Sequence, residues 1–129
     1  MAQVKIFGLI KQLPQIKDKL SDLIHSALME VFELPETKRF QRFIGLGPGD
    51  FIFPKDRSEN YLIIEISVFE GRLKETKKKL ITLLIKSISK ELNIHENDIE
   101  ITIFETPKSN WGIRGQCGDD LALNYKVSI

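Results

Sequence analysis

Cysteine and tryptophan are scarce in this chain of 129 residues, with Cys117 and Trp111 the single examples of each. One cysteine excludes an internal disulfide and a cysteine-rich zinc site, and it fits a reducing compartment. Charge of one sign is not in excess: 19 basic residues face 18 acidic ones, for a net charge of +1. That balance argues against a protein that tracks a phosphate backbone. Long apolar runs are missing too. Leu80-Ile81-Thr82-Leu83-Leu84-Ile85 falls far short of the roughly 20 residues that cross a bilayer. The start, Met1-Ala2-Gln3-Val4-Lys5, lacks the charged-then-apolar order of a secretory signal. The expectation is a cytoplasmic protein with neither a membrane nor a nucleic acid as partner. His25 and His95 have no ligand-spaced companions, and the glycines of 45–49 and 112–118 match no dinucleotide or P-loop fingerprint. No metal and no cofactor is expected.

What is present is an ordinary globular composition, 42% hydrophobic and 29% charged, of a length suited to one domain over 1–129. The chain also echoes itself. At an offset of 60, Val4 and Ile6 fall on Ile64 and Ile66. Leu20, Leu23, Ile24, Leu28, Phe32 and Leu34 fall on Leu80, Leu83, Leu84, Ile88, Leu92 and Ile94. Each copy reads strand, helix, strand, giving pseudo-repeat units over about 2–46 and 60–106 and a tail over 107–129.

In the first unit the pattern predicts a strand over 3–9, a helix over 14–33 and a strand over 39–46. Pro14 suits a first helical turn, where no amide donor is required, and Pro35 stops the helix. Ile16, Leu20, Leu23, Ile24, Ala27, Leu28 and Val31 form one apolar stripe at helical spacing. The second unit predicts a strand over 60–69, a helix over 74–92 and a strand over 99–105. Leu73, Lys77, Leu80, Ile81, Leu84, Ile88 and Leu92 form the inner stripe, with Lys77 at its edge. The run Lys77-Lys78-Lys79 reads as a solvated face.

Right-handed crossovers join parallel strands in each unit. The fold class is therefore α+β (α/β in its repeating units): a four-stranded sheet with both helices on one face. Val4, Ile6, Leu62, Ile64, Ile66, Val68, Ile99, Ile101 and Ile103 share the helix-facing parity. The opposite parity mixes charge with Phe7, Phe69 and Phe104. A parallel sheet bare on one side is unusual, so other subunits are expected to cover it, in a closed homo-oligomer. The tail from Pro107 is expected to add short strands that reach a neighbour.

Val68-Phe69-Glu70-Gly71-Arg72, the lysine-rich helix, Ile99-Glu100-Ile101-Thr102-Ile103-Phe104-Glu105 and Asn110-Trp111-Gly112-Ile113-Arg114-Gly115 stand in an order that resembles the tautomerase superfamily. The layout is similar to a whole 4-oxalocrotonate tautomerase subunit. Its two-unit length resembles the malonate semialdehyde decarboxylase branch, as do Val31-Phe32-Glu33-Leu34-Pro35, Arg57-Ser58 and Trp111. This resemblance implies a homotrimer with helices outside, and a small keto or enol carboxylic acid as ligand. It also implies an N-terminal proline as general base or acid, with arginines on the substrate carboxylate.

Carried over residue by residue, the proline position holds Ala2 and the second of two arginine positions holds Arg72. The first arginine position holds Glu70, and an aspartate position of the decarboxylase branch holds Lys38. The candidate site is thus Ala2 as proton carrier through its α-amine, with Arg72, Trp111 and Lys38 on the substrate. Removal of Met1 would expose a primary amine with an ordinary pKa of about 7.7–8.0. The plain alternatives stand beside these roles: a first-strand residue, a solvated turn arginine and a packing tryptophan. Two functions remain open, an isomerase of weak or absent activity, with decarboxylation or hydration as lesser options, and a non-catalytic trimeric scaffold or small-ligand binder.

Overall fold

The computed structural model describes residues 2–129, so the expected removal of Met1 lies outside the described residues. Four strands and two helices build the body: β1 (Ala2–Leu9), α1 (Leu13–Phe32), β2 (Gln41–Leu46), β3 (Leu62–Phe69), α2 (Lys74–Leu92) and β4 (Ile99–Thr106). The tail adds a small hairpin, β5 (Gly112–Ile113) with β6 (Gln116–Cys117).

Strand order is β2-β1-β3-β4. β1 runs parallel to β2, and β3 runs parallel to β4, as the crossovers require. The two units meet antiparallel, β1 against β3, with Ala2 opposite Val68 and Lys5 opposite Glu65. The sheet is therefore mixed, not parallel throughout.

The helix-facing parity holds. Val4, Ile6, Leu62, Ile64, Ile66, Val68 and Ile99 are buried, with Ile101 and Ile103 packed against the same core. Above them lie Leu20, Ile24, Ala27, Leu28 and Val31 of α1 and Leu80, Leu84 and Ile88 of α2. Each fully buried leucine here contributes about 1.5–3 kcal/mol over its exposed state. Both helices end in a left-handed residue, Glu33 at φ 53° and Asn93 at φ 54°. Leu73 departs from the expected stripe: it is 63% exposed, because it is the extended N-cap of α2 and has not yet joined the helical face.

The connection between units is pinned from inside. Asp98, buried before β4, accepts from the Ser58 amide at 2.7 Å and the Ser58 hydroxyl at 2.6 Å. Phe51, Phe53 and Tyr61 form an aromatic cluster with ring centres 5.2–5.4 Å apart. The Tyr61 hydroxyl donates to Glu100 at 2.8 Å.

On the opposite sheet face the expectation divides. Phe104 is 46% exposed and Phe7 is half-buried. Phe69 is fully buried, covered by the chain's own Trp111 and Val127. The tail packs on the body through Val127. Among the described residues no helix is long and apolar enough to cross a membrane.

Candidate active site

β1 begins where β3 and β4 end, and this one sheet end collects the candidates. Ala2 is 2% exposed and pairs with Val68, which in turn pairs with Glu105. The alternation of β1 turns the Ala2 methyl toward the helices, among the core side chains. Beyond Phe69 the ladder closes with the Glu70 amide donating to the Thr106 carbonyl at 2.9 Å. The chain then turns through Gly71 at φ 130°, a left-handed conformation that favours glycine, and delivers Arg72.

Arg72 is only 5% exposed. Its Nη1 donates to the Phe69 carbonyl at 3.2 Å, and its guanidinium carbon lies 4.2 Å from the centre of the Phe32 ring. Nε and Nη2 are buried with no hydrogen-bond partner. Loss of hydration pushes the guanidinium pKa down to about 10, against the opposing pull of the Glu105 carboxylate. It stays cationic at neutral pH. Each unpartnered donor costs on the order of 1–3 kcal/mol when water is excluded. A planar cation with two free N–H groups suits a carboxylate, which accepts in a matching fork.

Glu105 takes no part in a carboxylate pair with Glu70, which is exposed. Its Oε1 instead accepts from the Lys77 ammonium at 2.6 Å, tying β4 to the first turn of α2 just past Arg72. That lysine is the edge residue of the expected inner stripe.

Trp111 stands half-buried with its ring edge-on to Phe69, centres 5.0 Å apart at 69°. Its carbonyl accepts from the Gly118 amide. Gly118 has to be glycine, since a Cβ there would sit 2.5 Å from the Lys108 carbonyl oxygen. The close approach holds the hairpin against Phe69.

Lys38 is half-exposed in the loop before β2, with its amide donating to the Pro35 carbonyl at 3.0 Å. The Val4 amide donates to the Phe40 carbonyl, so this loop enters the sheet at the same end as Ala2. Sequence reasoning gave His25 no role. It is buried in α1, and its Nε2 lies 2.8 Å from the Glu36 carbonyl, anchoring the loop that carries Lys38. Its helical position beside the apolar stripe was the only signal available. Phe32 and the tail residue Tyr125 were missed as neighbours of the site; only tertiary packing reveals them.

The four candidates thus share one sheet end, with Arg72 buried behind Gly71 and Trp111 on the Phe69 side. The hollow of about 120 Å³ bounded by Leu9, Ile10, Gln12, Leu46 and Pro48 lies at the other end of β1. Leu9, on its wall, stands at the far end of the eight-residue strand from Ala2, on the order of 23 Å away. Cys117, Asp119 and Asp120 have ligand atoms within 4.8 Å of one another, but all three are exposed and no buried polar group joins them.

Comparison with known proteins agrees with this architecture. A family model described as tautomerase enzyme matches residues 38–114. A probable tautomerase of Bacillus subtilis (strain 168), YrdN, is 25% identical over 99 residues, covering 72% of this chain and 75% of the relative. Among solved structures, native fused 4-OT superposes with a TM-score of 0.80 at 20% identity, covering 92% of this chain and 98% of its own. A malonate semialdehyde decarboxylase inhibited by 3-bromopropiolate gives a TM-score of 0.76 at 25% identity, covering 85% and 87%. With the family model spanning both sides of the Gly71 turn and the fold repeated in these structures, the chain belongs to the tautomerase superfamily.

Proposed function

We propose that the protein is an isomerase of low activity on a small keto or enol carboxylic acid. The α-amine of Ala2, freed by removal of Met1, is the proton carrier. Arg72 holds the carboxylate, Trp111 walls the ligand and Lys38 adds positive charge at the rim. The supporting observation is the Arg72 guanidinium, buried at the sheet end where β1 begins and left with two unpartnered donors. Fused 4-OT relatives form trimers, and the open parts of the outer sheet face support a homotrimer here.

The chemistry sets the expected rate. A primary amine replaces a secondary one, and a retained methionine would displace the amine by one residue, about 3.3 Å. A misplacement of about 1 Å already costs on the order of a hundredfold. Glu70, exposed beside the turn, repels an anion further.

A second reading is a trimeric binder of small carboxylates without turnover. What favours it is Ala2, which is 2% exposed and puts a primary amine where the family's chemistry uses a secondary one. Ala2→Pro, with Met1 removal verified by mass spectrometry, separates the two in a phenylenolpyruvate-type enol assay. The isomerase reading expects activity to rise, and Arg72→Ala to abolish the gain. A processed, folded and trimeric Ala2→Pro protein with no gain hands the site to the binder.

A further inference from the structure

The tail does more than cover Phe69. After the hairpin and one 3-10 turn, Gly118–Asp120, it runs without regular structure past Phe69 to Leu73. Val127 packs on Phe69, and its Cγ1 lies 3.2 Å from where a Cβ on Gly71 would stand. The Ile129 carbonyl accepts from the Leu73 amide at 2.9 Å. Asn124, Tyr125, Lys126 and Ile129 face Glu33, the residue after Phe32, across a shallow depression. The segment 124–129 therefore touches both residues that flank Arg72 in sequence and the helix end on which Arg72 rests.

We infer that residues 124–129 form a strap over Arg72 that must lift before a carboxylate can reach the guanidinium. The inference rests on the reading of Arg72 as an anion anchor. Two features of the closed state support it. Arg72 is buried with two N–H groups unused, so closure leaves its binding capacity unspent. The Tyr125 hydroxyl, on the strap itself, is also buried with no partner. A closed state that satisfies neither group is poorly matched in polar terms, and an anion gives the open state what the closed one lacks. The strap's grip is correspondingly slight: Val127 is its one buried side chain, and the Ile129–Leu73 bond ties its end. Such a segment opens locally without unfolding the core. Strap closure then lowers apparent anion affinity by the fraction of time spent closed.

Arginine-directed labelling with phenylglyoxal, read at each arginine by peptide mass spectrometry, tests this on the full chain. Exposed Arg114 is the internal reference. Arg72 should react at least about tenfold more slowly than Arg114, and Val127→Asp or a chain ended after Leu123 should close most of that gap. If the shortened chain fails to fold, Val127→Ala should still speed Arg72 measurably. Equal rates for Arg72 and Arg114 in the unaltered protein would overturn the strap, because it would not be closed in solution. Unchanged slow labelling in the folded variants would also overturn it, since something other than the strap would bury Arg72. Faster labelling without faster enol turnover supports the strap while counting against the isomerase, so the two ideas fail separately.

Discussion

The guanidinium carbon of Arg72 lies 4.2 Å over the centre of the Phe32 ring, and the pair so joins the turn before α2 to the last residue of α1. A desolvated contact of this kind is worth about 0.5–2 kcal/mol. A double-mutant cycle with Phe32→Leu and Arg72→Met, followed by urea unfolding, should return a coupling in that range. A coupling near zero would make Phe32 only a wall.

Leu84 is fully buried between α2 and the sheet. Leu84→Ala should destabilise by about 2–5 kcal/mol. A loss below about 0.5 kcal/mol, the scale of surface changes, would contradict the phase of the helix.

Asp98 satisfies two donors of Ser58 and holds the long connection against β4. Asp98→Ala leaves the Ser58 amide without its acceptor, and should cost about 1–3 kcal/mol or more. Asp119→Ala, on an exposed carboxylate, is the control and should fall within about 0.5 kcal/mol of the parent.

Tyr61 titrates above its ordinary 10.0, first because it is buried and next because its hydroxyl donates to Glu100. The neutral phenol is the form that the fold favours. Its stabilising contribution is complete below pH 10, the unfolded value, and is lost as pH rises through the higher folded value. Absorbance of tyrosinate on alkaline titration should show a late component that Tyr61→Phe removes. If the component that Tyr61→Phe removes lies at the ordinary position, the buried hydrogen bond is refuted.

Light scattering at micromolar concentration should give three times the 14.8 kDa subunit mass. A mass near one subunit would leave Phe7 and Phe104 exposed to solvent and would remove the trimer.

Much of the body was legible because period-2 and helical spacing record which side chains leave water. Ile64 and Ile66 declare a buried face without reference to anything distant, and so do Leu80, Leu84 and Ile88. Leu73 misled because apolarity was read as helical phase, whereas the residue lies one step outside the helix. The seam between β1 and β3 was not legible, since strand direction depends on where a long connection returns and not on local pattern. The resemblance brought Ala2, Arg72, Trp111 and Lys38 forward, and the structure sets them at one sheet end. The burial of Arg72 was hidden for a different reason: the Phe32 ring beneath it belongs to the other helix, and no local spacing links the two.

The antiparallel seam gives the sheet two ends that the repeat makes equivalent, Ala2 with Arg72 at one and Leu62 with Gln12 at the other. Leu62 is preceded by Tyr61, so its nitrogen is an amide and carries no basic lone pair; Gln12 is neutral where Arg72 is charged. The two poles thus differ in content. One keeps the cation, and the other holds the hollow of about 120 Å³ beside Gln12, with the Phe51, Phe53 and Tyr61 cluster and the Asp98 clasp in the connection between the units. A trimer of such chains would repeat three corners that hold a buried cation and three that do not.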